Sequence, residues 1–248
     1  DKLWAQRYKD IENFEVYLHR NGTHVLKFFF HLSKDEQKKL GTFFKHLEEL
    51  SRMHQNKHAK LIALKKALQE KLFPKSNENT PKIRFKGFSE NWEKDKLGEL
   101  SFVYDGTHQT PQYTESGVMF LSVENIKDLK SKKYISIKAF EDEFRNYPEK
   151  GDVLMTRIGD IGTANIVETT DRLAYYVSLA LLKKRKLDSY FLKECIESEA
   201  VRNELWHRTL HIAFPKKINK NEIEKVLIPY PKSETEQEKI GNLFKQVN

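Results

Sequence analysis

The chain has 248 residues, enough for one large domain or two small ones around a core that needs no staples. Hydrophobic residues make up 38% and charged residues 32%, which excludes a disordered chain, and 44 Lys and Arg against 36 Asp and Glu give a net charge of +8. Cys195 is the one cysteine, so a disulfide scaffold and a cysteine-based zinc site are excluded. Trp4 to His19 has apolar residues at helical spacing (Trp4, Tyr8, Ile11, Phe14, Leu18), ended by Asn21-Gly22. Charges at Lys2, Arg7, Lys9 and Asp10 interrupt any signal peptide, and no apolar run is long enough to span a membrane, so a cytoplasmic protein is expected. Thr23 to Leu32 (THVLKFFFHL) reads as a short buried strand, although periodicity alone leaves a helix open.

Ser33 with Glu36 three residues later forms a capping box that opens the most legible element. From Glu36 to about Leu72 there is no proline. Leu40, Leu47, Leu61 and Leu68 fall on one heptad position, and Phe43, Leu50 and Leu64 on the other. A helix of this length, roughly 50 Å, reads as a coiled-coil arm, with His54 and Lys57 as polar breaks in its seam. Pro74 stops it, and Ser76 to Pro81 is a polar linker.

From Lys82 to about Pro215 short strand candidates follow: Val118 to Val123, Tyr134 to Ile137, Asp152 to Thr156, Ala164 to Glu168 and Tyr175 to Leu182. Turn signals separate them, and a helix is expected from Ser189 to about Leu205. Asn221 to Val226 reads as a helical turn and Leu227 to Pro231 as extended chain. A last helix opens near Glu234 and runs to the final residue. Residues 36–47 (EQKKLGTFFKHL) and 236–247 (EQEKIGNLFKQV) agree at six of twelve positions, which points to alternating helical and globular modules.

No nucleotide-binding glycine loop, HExxH or EF-hand spacing is present. His54 with His58, and His207 with His211, share helix faces at i,i+4, where a solvated polar stretch outweighs a metal site. Asp152, Asp160 and Glu168 lack the spacing of nuclease acids and read as caps or turn residues. Basic clusters stand out instead: Lys57 to Lys75 on the arm, Lys127 to Lys133, and Lys183 to Lys186. Each alone reads as solvated surface, but together they suit the phosphate backbone. Two loops offer base contacts. In Gly106 to Tyr113 (GTHQTPQY) the candidates are Thr107, His108, Gln109, Gln112 and Tyr113, with either glutamine able to pair adenine. In Thr156 to Thr163 (TRIGDIGT) they are Thr156, Arg157, Gly159 and Gly162, with Arg157 suited to guanine. A tight ligand-free hairpin, with Arg157 bridged to Asp160, remains the alternative. Lys184 and Arg185 are the candidate phosphate contacts.

The run GDVLMTRIGDIGTANIV (151–167) followed by YYVSLALLKKRK (175–186) resembles the target recognition domain in specificity subunits of type I restriction-modification enzymes. IRFKGFSENWE (83–93), LIPYPKSETEQEKIGNLFKQV (227–247) and the arm at 40–74 are similar to the opening, closing and spacer segments of that family, so the likeness covers residues 36–248. It implies an α+β fold: a mixed α/β target recognition domain (76–226) flanked by a long coiled-coil spacer helix (36–75) and the start of a second one (227–248). It also implies a non-catalytic subunit that directs the complex to its site on double-stranded DNA. Leu40, Phe43, Leu47, Leu50, Leu61, Leu64 and Leu68 would pack the spacer against modification (methyltransferase) subunits, or against a second copy in self-association. The resemblance further implies that no cofactor is bound directly and that S-adenosylmethionine, ATP and Mg2+ belong to partner subunits, the modification subunits and a restriction (endonuclease) subunit. Residues 1–39, by contrast, resemble a fragment of family-two polyphosphate kinases without their Walker motifs, so no phosphotransfer follows, and 1–35 stand as an atypical N-terminal segment. The rival readings are a coiled-coil protein-interaction module without DNA binding, and a remnant kinase regulator.

Overall fold

The computed structural model describes residues 2–26 and 32–247. The chain divides between Asn56 and Lys57 into two units. In the first, helix α1 (Lys2–Arg20) ends where Asn21 Nδ2 donates to the Tyr17 carbonyl (2.8 Å) and Gly22 takes a φ of +78°. Thr23 to Leu26 are exposed and have no regular structure. The strand expected over 23–32 is therefore absent from its first four residues, and 27–31 lie outside the described residues.

Helix α2 (Lys34–Leu72) runs for 39 residues, about 58 Å of axis. Its capping box is formed: Ser33 N and Oγ both donate to Glu36 Oε2 (2.8 and 2.7 Å), and Glu36 N returns to Ser33 Oγ. Of the heptad residues, Leu40, Phe43, Leu47, Leu50 and Leu64 are exposed. Leu61 is half-buried.

The second unit begins within α2. Leu68 packs against the core that buries Leu72 and Phe73, while Gln69 Nε2 donates to Glu194 (3.0 Å) and Lys65 bridges Glu194 and Glu197. After the linker come β1 (Glu93–Lys96), α3 (Leu97–Leu100), β2 (Ser101–Asp105), β3 (Val118–Leu121), β4 (Tyr134–Ile135), α4 (Ile137–Glu143), β5 (Val153–Thr156), β6 (Ala164–Ile166), β7 (Leu173–Tyr175), β8 (Leu179–Lys184), α5 (Ser189–Ile196), α6 (Glu199–His207), α7 (Lys220–Glu224), β9 (Leu227–Tyr230) and α8 (Glu234–Val247). An antiparallel sheet of order β2-β8-β5-β6 is central. A smaller mixed sheet, β4-β3-β7, and the β1-β9 pair flank it.

The central sheet separates two cores, and its pleat decides which residue serves which. Val153, Met155, Ala180 and Leu182 face the core built by α2, α3, α5, α6, α7, β9 and α8. Leu154, Leu179 and Leu181 face the core built by the small sheet and α4. Phe73, Trp92, Phe191 and Phe244 cluster in the first core with ring centroids 5.7–6.1 Å apart. Each such side chain contributes roughly 1.5–3 kcal/mol through burial.

Several predicted boundaries shift for local reasons. The run 175–182 is two strands, because the chain crosses from the small sheet to the central one through a turn closed by Leu179 N donating to the Tyr176 carbonyl (2.9 Å). The helix expected over 189–205 breaks at Ser198, whose extended backbone and Oγ bond to the Cys195 carbonyl (2.6 Å) separate α5 from α6. Ser136 ends the 134–137 strand early by capping α4 through its Oγ, which accepts from Ala139 N (3.1 Å). Residues 227–247 are integrated into the second unit, with Ile228, Tyr230, Ile240 and Phe244 buried in the first core.

Candidate nucleic-acid interface

Strands β2 and β5 both run antiparallel to β8, so both end at the edge of the sheet where β8 begins. The loops that follow them, 106–117 and 157–163, share that edge with the turn 176–178. Two backbone bonds fix the first loop to the turn: Thr107 N to the Tyr175 carbonyl (3.1 Å) and Val177 N to the Thr107 carbonyl (2.9 Å). The approach is close enough to require glycine at 106, where a Cβ would stand 2.5 Å from the Tyr175 oxygen. Beyond this anchor His108, Gln109, Gln112 and Tyr113 are exposed, and Thr107 is half-buried with its Oγ1 turned to the Gln109 backbone. Lys133 Nζ lies 5.5 Å from the Tyr113 ring, so the cluster at 127–133 contributes one cation to this edge.

The second loop turns Arg157 inward. Its side chain is 5% exposed: Nη1 pairs with Asp105, Nε donates to the Ile218 carbonyl (3.1 Å), and the guanidinium is turned away from solvent. Its carboxylate partner is Asp105, not Asp160, which instead accepts from Thr163 Oγ1 (2.6 Å). Thr156 is buried and binds across the loop to Thr163, with Thr163 N donating to Thr156 Oγ1 (3.0 Å). Gly162, at a φ of +89°, serves packing, since a Cβ there would meet Leu205 at 2.9 Å. Gly159, at +80°, faces open space. Thr156, Arg157 and Gly162 therefore shape the loop from inside, and Gly159 alone of the four is presented outward.

Lys184 and Arg185 stand apart from both loops. Strand β8 carries them to the opposite edge, about 17 Å from its start at Leu179. Both are exposed. Arg185 lies over the Phe102 ring (5.3 Å) and donates to the Gly98 carbonyl (3.3 Å). Their neighbour Lys183 is held by Glu149 and Asp152; burial lowers its pKa, but the bonds to these carboxylates outweigh that and raise it.

The carboxylates weighed as nuclease acids serve separate local roles: Asp152 pairs with Lys183 and accepts from Glu149 N, and Glu168 accepts from Tyr190 Oη. Among the described residues no group of three His, Cys, Asp or Glu gathers as a metal site. Cys195 is buried, donates to the Pro229 carbonyl (3.4 Å), and has its thiol pKa pushed up by burial. A groove of 1420 Å³ mixes Lys65, Lys127, Lys130 and Arg172 with Asp128, Glu168 and Asp171, so it lacks the single sign of charge that a polyanion requires.

One segment of the loop edge escaped the sequence reading. The 209–218 loop folds back as a hairpin, with Leu210 N donating to the Lys217 carbonyl (2.8 Å). It joins the second loop through Gly159 N to the Lys216 carbonyl (2.8 Å) and Ile218 N to the Arg157 carbonyl (3.0 Å). Its signal was available in the absence of any Asp or Glu from Leu205 to Lys220.

Residues 1–81 match the polyphosphate kinase 2 (PPK2) family. Over 37 residues the chain is 61% identical to the ADP-polyphosphate phosphotransferase of Rhodopseudomonas palustris, covering 15% of this chain and 13% of that protein. It is 51% identical over 37 residues to the AMP/ADP-polyphosphate phosphotransferase of Meiothermus ruber, covering 15% and 14%. The chain thus spans a small part of these curated relatives, and a segment of it resembles their family. The fold resembles the HsdS subunit of Thermoanaerobacter tengcongensis (TM-score 0.56, 19% identity, 85% of this chain and 49% of that one). It also resembles a chain from a type I R-M system (0.58, 18%, 87% and 53%) and the type I restriction-modification S subunit of M. genitalium (0.51, 17%, 67% and 41%). The chain spans about half the length of these solved chains. It shares with them an α+β architecture with mixed sheets and a long helix.

Proposed function

We propose that the chain is a sequence-specific DNA-binding subunit that directs a type I restriction-modification complex to its target site. The observation that supports this reading is the loop edge: glycine, threonine and a buried arginine fix the loop roots, and short polar side chains and cations are left outside. Gln109 and Gln112 offer the paired donor and acceptor that adenine matches in the major groove, and His108, Tyr113 and Lys133 supply further polar and cationic contacts. Arg157 acts as a positioning residue, and Lys184 and Arg185, the candidate phosphate contacts, lie at the sheet edge opposite the base-contact loops. In this reading the chain performs no chemistry. Methyl transfer belongs to modification subunits that carry S-adenosylmethionine, and cleavage to a restriction subunit using ATP and Mg2+. The test is the genome-wide methylation pattern in cells with and without the gene: loss of one methylated motif on deletion is expected, and an unchanged pattern sinks the reading.

The exposed row of Leu40, Phe43, Leu47, Leu50 and Leu64 favours a second reading, a helical interaction module that binds another arm. In the first reading the same row docks partner subunits or a second copy. Leu61→Asp combined with Leu64→Asp should abolish that association, measured as solution mass. Retention of duplex DNA by the full chain separates the two readings.

A further inference from the structure

We infer that the tip of the 209–218 hairpin, Ile212 with Phe214, is an apolar wedge that enters the base stack of bound DNA. This rests on the DNA reading above and adds how the duplex is deformed. Ile212 is 99% exposed and Phe214 fully so, in a unit whose other phenylalanines are mostly buried. Single exposed apolar side chains are ordinary, but two at the tip of one fixed loop are not. The loop is built to hold them out. Thr209 Oγ1 donates to the Leu205 carbonyl (2.7 Å) and His211 Nε2 bonds to the Trp206 carbonyl (3.0 Å). The Trp206 ring lies 4.5 Å from the His211 ring and 4.4 Å from Lys216 Nζ.

Charge and position select the occupant. From Leu205 to Lys220 there is no carboxylate, and Lys216 and Lys217, which follow the tip on the return arm of the hairpin, form no ion pair among the described residues. Backbone bonds to Arg157 and Gly159 fix the hairpin to the loop edge that holds the candidate base contacts. An apolar point beside exposed lysines matches a duplex: the lysines meet phosphates while the tip slides between base pairs, replacing lost stacking with contact to the Phe214 ring.

The test binds the full chain at low salt to duplexes randomised at their centre, then remakes the retained duplex with 2-aminopurine at successive positions. Binding should raise the fluorescence at one step, where the base unstacks. Phe214→Ala should lose that rise and bind about tenfold more weakly, with the salt dependence unchanged because no phosphate contact is removed. Lys217→Ala should keep the rise and lower the salt slope by about one. Both side chains are exposed, so neither substitution disturbs the core. Retained duplex with no rise, or a rise that Phe214→Ala leaves intact, overturns the wedge alone and assigns the tip to a protein partner. No retention of duplex at low salt overturns the DNA reading and the wedge together.

Discussion

Residues 36–47 and 236–247 are close copies in sequence and opposites in environment. Each follows a serine, Ser33 or Ser233, whose hydroxyl accepts from the backbone N–H of the glutamate three residues on. Glu36 then turns back to cap its own helix, whereas Glu236 leaves the local cap and pairs with Arg84 through two bonds of 2.9 and 2.7 Å. Gln37 reaches the Leu32 carbonyl (3.1 Å). Gln237 accepts from Asp188 N (3.0 Å) and donates to the Pro231 carbonyl (2.9 Å), tying α8 to the start of α5. Gly41 has nothing near it, while Gly241 lets α8 come against Asp188 and Phe191. Phe44 is 59% exposed and Phe244 not at all. The same side chains thus serve as a local cap in one place and a tertiary lock in the other. An amphipathic pattern specifies a face, and the neighbours decide whether anything covers it.

The sharpest way to break this comparison is to delete the two rings. Phe244→Ala should cost about 3–5 kcal/mol in urea unfolding, and Phe44→Ala less than about 0.5 kcal/mol; equal losses would mean that the first copy is covered in solution. Next in size, Glu236→Ala leaves the Arg84 guanidinium half-buried without its carboxylate. The expected loss is about 3 kcal/mol, read in the same transition, whereas Glu36→Ala should fray only the first turn of α2. The glycines should differ in sign. Gly41→Ala should raise helix stability by about 1 kcal/mol, while Gly241→Ala, whose Cβ would stand 2.7 Å from Asp188 Oδ1, should destabilise by about 1–2 kcal/mol. Thermal melting of both variants checks this.

The smallest effect is one of pH. Hydrogen bonds from the Ser33 side chain and backbone lower the Glu36 pKa, so the folded value lies below the unfolded one. The capping contribution is therefore complete above the unfolded pKa and is lost as pH falls through the folded one. The amide-exchange protection of Glu36 and Gln37, taken relative to the intrinsic rate at each pH, should fall on acidification, with no matching change in the Ser33→Ala variant.

Much of this architecture was legible wherever a local rule suffices. The Ser33–Glu36 box, the Asn21-Gly22 stop and the long α2 follow from spacing alone, and Val153 to Met155 declare a buried strand by composition. Strand β1 (EKDK) did not, because its place comes from pairing with β9, which no periodicity in four charged residues announces. The candidate site divides in the same way. The 106–113 loop carries its polar side chains outward as its composition suggests. Arg157 does not, since its fate depends on Asp105, fifty-two residues away and indistinguishable in sequence from any other turn acid.

The Asp105–Arg157 pair joins the last residue of β2 to the first residue after β5. It sits beneath the exposed portions of both loops and works as a rivet: what lies distal to it, 107–117 and 158–163, is cantilevered from a frame that the two cores hold independently. Loop cassettes could be exchanged at these two rivet points, with the frame keeping its shape and only the exposed loop surface changing. A cut made inside the rivet would instead strand a buried charge, so the seam matters more to such a graft than the length of what is inserted.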